Sequence, residues 1–357
     1  MDTSDTILIY YDNDYQLRCD YYSIYKIKSK RECKERGGIL KKRYLAVILA
    51  ILSIVSIFIG ASEMTLSAIL NGDSHQLYIL FVSRIPRLLS VAVTGIGMSI
   101  CGLIMQQLTR NKFVSPTTAA TMDFAKLGML VAMVFFAGAS IMHKMLFAFA
   151  CSLFGTFLFM GIMKQVKFQN SLFIPLIGMM LGNVVNSITS FIAYQFDLVQ
   201  NISSWAQGDF TNIMKGNYEL LYLSIPLVFV AFLYANKFTI AGMGEDFSTN
   251  LGLNHKWIVN VGLTIVALIT SVIIITVGSI PFVGLIVPNI VSMYMGDNLK
   301  HSLGHTALLG AIFLLICDII GRLVIYPYEV SIGLTVGVIG SVIFLYMLMR
   351  RDSNASA

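Results

Sequence analysis

A chain of 357 residues with 56% hydrophobic and only 12% charged residues, at mean hydropathy +0.76, carries more apolar surface than a soluble core can hide. Soluble chains average about 25% charged residues, and single cores stop growing near ~250–300 residues. The composition therefore excludes a soluble globular protein, and the net charge of +6 does not point to nucleic acid, because the basic residues cluster between apolar runs as topology signals do.

Residues 1–42 are polar, rich in Tyr and Lys, and contain no signal peptide. They read as a disordered basic tail able to touch anionic lipid. An alternative is that Arg36-Gly37-Gly38 reflects a purine-rich ribosome-binding sequence and that translation starts at Leu40. From residue 43 to 351 the chain predicts an all-α, polytopic membrane domain of ten transmembrane helices, each needing ~20 mostly apolar residues. The spans fall near 43–60, 88–108, 121–139, 141–163, 172–195, 218–236, 257–276, 282–296, 304–324 and 333–349, with soft boundaries between the third and fourth and around 277–284. Residues 352–357 form a short polar tail. Lys and Arg between spans favour one side: the 26–43 cluster, Arg110, Lys112, Lys164, Lys167, Lys237, Lys256, Lys300, Arg350 and Arg351, against Arg84, Arg87, Lys144, Lys215 and Arg322 on the other. Both termini are thus expected in the cytoplasm.

Along the spans, Arg84-Ile85-Pro86-Arg87 opens the second, and the outer arginines Arg84, Arg87 and Arg322 run against the charge bias. They either anchor the helix ends at the interface or steer an acidic partner. Gly95-x-Gly97, Gly178-x-x-x-Gly182 and Gly333-x-x-x-Gly337 mark close helix packing. Asn183, Asn186, Thr189 and Ser190 place a polar stripe on the fifth span, which either lines a water-filled path or bonds neighbouring helices. The polar stretch 237–256 is too polar to span. Its Gly244-Glu245-Asp246 start puts acid at a helix N-terminus, and Gly252 ends a helix of about two turns. It is either a docking element for a partner or an ordinary connection. Asp318 and Arg322, one turn apart, can pair along one face, with Asp318 structural and Arg322 projecting outward.

Enzyme patterns are missing. No Gly-x-x-x-x-Gly-Lys-[Ser/Thr] loop, His-Glu-x-x-His pair or Gly-x-Ser-x-Gly elbow occurs. His301 and His305 flank Gly304 and read as a solvated loop. Cys19, Cys33, Cys101, Cys151 and Cys317 have no metal or redox spacing. Acidic residues within spans are few, Asp318 and little else, which weighs against ion-coupled transport.

Six segments, in order, resemble the FecCD permease family of type II ABC importers for iron-siderophores, haem and cobalamin: Arg84 to Arg87; Gln106 to Asn111 (QQLTRN); Trp205-Ala206-Gln207-Gly208; Gly244 to Gly252; Phe282 to Pro288 (FVGLIVP), within GSIPFVGLIVPNIV; and Asp318 with Arg322. The resemblance implies that Arg84, Arg87 and Arg322 face an extracytoplasmic siderophore-binding lipoprotein. It implies that Gly244, Glu245, Asp246, Leu251 and Gly252 sit on two ATP-binding subunits, and that Asn183, Asn186, Thr189 and Trp205 belong to the translocation pathway. Pro86, Gly284, Pro288 and Asp318 are expected to be structural. No cofactor is expected on this chain, ATP being hydrolysed by partner subunits, and a second permease copy or paralogue completes the pore. Asn289, Ser292, Ser331 and the Lys112 to Met122 stretch depart from the family pattern, the last toward catecholate and mixed siderophores such as petrobactin. The alternatives are a secondary transporter, or the same architecture carrying haem or cobalamin.

Overall fold

The computed structural model describes residues 41–60, 73–118, 120–165, 173–216, 218–296 and 298–355. The expectations about residues 1–40, including the start at Leu40, lie outside them. Among the described residues the protein is all-helical. The α-helices are α1 (Lys42–Phe58), α2 (Ser74–Ile79), α3 (Ile85–Thr109), α4 (Thr121–Phe135), α5 (Ile141–Gln165), α6 (Phe173–Gln195), α7 (Val199–Ala206), α8 (Ser224–Ala241), α9 (Glu245–Asn250), α10 (His255–Val277), α11 (Val283–Met295), α12 (Leu299–Leu323) and α13 (Ile332–Ala355). Among the described residues, seven helical stretches are long and apolar enough to cross a membrane, and α11 is a shorter apolar helix. A helix lies in each of the ten expected segments, but α1, α4 and α11 are only 17, 15 and 13 residues long.

Helix ends follow local chemistry. The Asn254 side chain accepts from the Trp257 N–H and starts α10 at His255. Asn298 accepts from Lys300 N–H at 3.0 Å and starts α12 five residues before the expected span. His301 and His305 therefore lie on a helix rather than in a solvated loop: His305 is buried and its Nδ1 lies 3.0 Å from the His301 carbonyl.

The central element is α3. It packs against α1, α8, α10, α11 and α12, and most of its residues after Val93 are buried. Two close crossings allow this. At Gly95 and Gly310, α3 and α12 meet backbone to backbone, and at Gly102 and Gly284, α3 meets α11 in the same way. A Cβ at Gly102 would run into the Gly284 carbonyl group. Away from α3, a buried hydroxyl set joins α4, α5 and α10: Thr121 lies 3.1 Å from Thr156, and Ser152 lies 2.8 Å from Ser271.

Two prolines interrupt helical bonding, and each freed carbonyl finds a distant donor. Pro288 sits inside α11 and cannot donate to Gly284, four residues back. The Gln106 side chain donates to that carbonyl and to Leu285, each at 3.3 Å. Pro86 cannot donate to Val82, which lies in a π-helical turn over Leu80–Arg84. The Val82 carbonyl accepts instead from the Lys215 N–H at 3.1 Å.

Replacing Gly102 with Ala is expected to overpack the α3–α11 crossing at a cost of about 1–3 kcal/mol. In detergent this reads as a lower apparent melting temperature. Gly161→Ala is the control, since nothing lies within 4 Å of its added Cβ. Equal melting of the two variants would contradict the crossing.

Candidate functional site

Three parts of the fold gather the polar and charged side chains. At one end of α3, five charged residues form a nearly dry cluster. Arg87 donates from Nη2 to Asp318 at 2.9 Å and from Nη1 to Glu329 at 2.6 Å. Arg322 pairs with the other Asp318 oxygen. Arg322 Nη1 also donates to the Ser56 and Ile59 carbonyls at 2.9 and 2.8 Å, and Arg84 Nη1 donates to Ile59 at 3.0 Å. These carbonyls end α1, where orphan acceptors and the negative end of the helix dipole favour cations. Gly60 leaves the room: a Cβ there would collide with the Arg84 guanidinium.

This differs from the expected exposure of Arg84 and Arg322, which are only 8% and 4% exposed. Asp318 and Arg322 do pair along one face of α12, but Arg322 turns inward, where the α1 terminus and Asp318 accept from its two terminal nitrogens. Arg87 is buried as well. Glu329 is the partly open member, with 18% side-chain exposure, and Thr211 Oγ1 approaches it at 3.4 Å.

At the opposite end of α3, the QQLTRN segment meets the 237–256 connection. Gly242 faces the Gln107 amide, and Gly244, at φ +126°, faces the Arg110 guanidinium. Glu245 and Asp246 lie in the first turn of α9. Gly252, at φ +76°, closes the helix with bonds from its own N–H to Thr249 and from Leu253 N–H to Ser248, a left-handed terminus that suits glycine. Ser248 is buried and its hydroxyl lies 3.0 Å from His255 Nδ1. The opposite surface carries Met243, Phe247 and Leu251, four residues apart and 57%, 48% and 56% exposed. Sequence reading singled out the acids and, through the family resemblance, Leu251, but not Met243 or Phe247. Nearby, the departures Asn289 and Ser292 are occupied: Asn289 donates to Lys112 and Leu285 carbonyls, and Lys112 donates to the Ser292 hydroxyl.

The third part lies beside α6. A recess of about 400 Å3 is lined by Lys126, Asn186, Thr189, Ser190, Ser203 and Gln207, with apolar residues between them. It gathers Asn186 and Thr189 of the expected pathway but not Asn183, which is exposed elsewhere on α6, or Trp205, which packs half-buried against the Met122–Ala125–Met129 cluster. Lys126 was missed, as was Asp123, 3.9 Å from it. Both stand in the expected third span, so Asp318 is not nearly alone among acids there. The signal was two opposite charges three residues apart in an apolar run. Gly182 makes room for Asp123, whose carboxylate would collide with a Cβ at that position.

Trp205-Ala206-Gln207-Gly208 has a backbone role. Ser279 N–H donates to Ala206 at 3.0 Å, Asp209 N–H to Val277 at 2.9 Å, and Gly333 N–H to Gly208 at 3.0 Å. Gln207 donates to the Ser331 hydroxyl at 3.0 Å. The breaks before α8, α11 and α13 therefore satisfy one another.

Residues 48–350 match the sequence profile of the FecCD transport family. Petrobactin import system permease protein YclN of Bacillus subtilis (strain 168) is 60% identical over 316 residues, covering 88% of this chain and 100% of YclN. Ferric-anguibactin transport system permease protein FatD of Vibrio anguillarum is 38% identical over 295 residues, covering 83% of this chain and 94% of FatD. A solved inward-facing metal-chelate type ABC transporter shares the fold with a TM-score of 0.77, covering 88% of this chain and 99% of that chain at 22% identity. With its motifs placed at the crossings and helix breaks of this architecture, the chain belongs to the FecCD transport family.

Proposed function

We propose that this chain is the permease subunit of an ATP-driven importer that carries ferric siderophores across the cytoplasmic membrane, with ferric petrobactin as the leading substrate. The observation that carries the reading is the 60% identity to a petrobactin import permease over that protein's whole length. The chain performs no bond chemistry and binds no cofactor in this reading, and its energy comes from ATP hydrolysed by two partner subunits. A second permease, identical or paralogous, completes the conduit, and an extracytoplasmic lipoprotein delivers the chelate.

The topology in this reading is ten spans with both termini in the cytoplasm. At 1.5 Å per residue, α11 is about 20 Å long and would cross with help from the non-helical Gly278–Phe282 segment before it. Loss of uptake in a deletion strain, restored by this chain for iron-loaded petrobactin and not for cobalamin or haem, is the expected outcome with radiolabelled cargo. Rescue of cobalamin or haem alone would reassign the substrate, and uptake that survives ATP depletion would indicate a secondary transporter.

Coupling to the ATPases is assigned to the Gly244–Gly252 segment, supported by its exposed Phe247 and Leu251 and by the exposed Met243 just before it. Anchors of this kind carry about 2 kcal/mol or more when removed. Phe247→Asp is expected to lower transport-coupled ATPase activity at least tenfold in the reconstituted complex while leaving the permease folded. Normal coupling would make this surface passive.

Docking of the binding protein is assigned to the end bearing Arg84, Arg87 and Arg322. With Asp318 and Glu329 the cluster holds three positive and two negative charges, a net +1, which suits an acidic partner. A partner carboxylate reaching Arg87 would compete with Glu329. Glu329→Gln is therefore expected to tighten docking several-fold, measured by titrating the binding protein onto the permease complex. Arg322→Leu is expected to destabilise the fold by about 3 kcal/mol. Weaker docking in Glu329→Gln would contradict the competition.

A further inference from the structure

The geometry points to the recess between α4, α6 and α7 as a recognition site for an anionic ferric chelate, with Lys126 as its cationic contact. The inference rests on the siderophore reading and names the charge of the cargo and the residue that meets it. Lys126 is the only charged side chain among the described residues lining the recess. Asn186, Ser190 and Ser203 surround it with an amide and hydroxyls, groups that hydrogen-bond oxygen-rich ligands, while the Thr189 hydroxyl donates to the Val185 carbonyl and the Gln207 amide to Ser331. An ionisable side chain within an apolar transmembrane segment is costly and calls for a cavity or a partner. Lys126 has both, but its partner is loose: Asp123 lies 3.9 Å away, and both side chains remain about a quarter exposed, at 25% and 26%.

On its other side the Asp123 carboxylate fills the space that a Cβ at Gly182 on α6 would take, which leaves the lysine as the charged group lining the recess. Ferric ion bound by two catecholate dianions is already negatively charged, and siderophore carboxylates add to that charge. A volume of about 400 Å3 is at the small end of ligand cavities, which run from roughly 300 to 1,000 Å3. It suits one limb of a chelate rather than the whole.

The test uses the complete importer, with its ATPase and binding-protein partners, in phosphatidylcholine vesicles with iron-labelled petrobactin. Charge-assisted hydrogen bonds at such a contact correspond to about a tenfold change. Lys126→Gln is expected to raise KM for uptake about tenfold with kcat little changed, and Lys126→Arg to restore it. Asp123→Asn, which removes the competing carboxylate, is expected to leave KM the same or lower it. A purely structural Lys126–Asp123 pair would instead impair both variants alike, lowering kcat and yield, and that result overturns the inference. Wild-type KM in Lys126→Gln overturns it too and leaves the siderophore reading standing. If the wild-type importer moves no ferric petrobactin, ferric citrate or other anionic ferric chelate, both fall together. An effect of Lys126→Gln seen only when phosphatidylglycerol is added would assign the recess to a lipid headgroup and would also overturn it.

Discussion

A backbone carbonyl left without a donor in an apolar medium costs several kcal/mol, and this constraint explains more of the protein than any other. At several breaks among the described residues, a side chain or a distant N–H meets the freed group. Gln106 serves the carbonyl abandoned by Pro288, and Lys215 N–H serves the one abandoned by Pro86. Arg84 and Arg322 serve the end of α1. Ala206, Gly208, Ser279 and Gly333 pair the irregular segments with each other. Residues that resemble functional motifs in the sequence are thus, in large part, the donors and spaces that make broken helices tolerable in a membrane.

The same requirement places the charges. Arg87, Asp318 and Arg322 lie together because guanidinium groups bring several donors to a site where helix ends and a buried carboxylate both need them. Removing one member leaves the others without compensation, so the cluster is brittle to single substitutions although its net charge is small. Lys126 is different. Its pairing with Asp123 is long and partly open, the condition under which a charge remains available to something that is not part of the chain.

Much of this was legible from local pattern. Runs of apolar residues located the helices, Gly244 and Gly252 bounded α9, and the spacing of Asp318 and Arg322 announced their pairing. The ends moved where a side chain decided them, as Asn298 did for α12. Burial of the arginines was not legible, because it depends on α1 ending beside α12, and no spacing within α12 encodes that meeting. Nor was the role of Gln207 and Gly208, which is to complete the backbone of segments far along the chain. Lys126 and Asp123 were in plain view as charges in an apolar run. What made them a site was the recess formed by α6 and α7, which only the folded chain supplies.

The position of α3 has a mechanical consequence. Its 25 residues make a strut about 37 Å long, comparable to the thickness of a bilayer. One tip is gripped by Asp318 and Glu329 through Arg87, and the other abuts Gly242 and Gly244 through Gln107 and Arg110. Its middle meets α11 and α12 backbone to backbone at Gly102 with Gly284 and at Gly95 with Gly310. One continuous helix therefore joins the contacts made at the α9 side to those made at the arginine side. Just beyond the gripped tip the winding changes, through the π-helical turn at Leu80–Arg84 that leads back to α2.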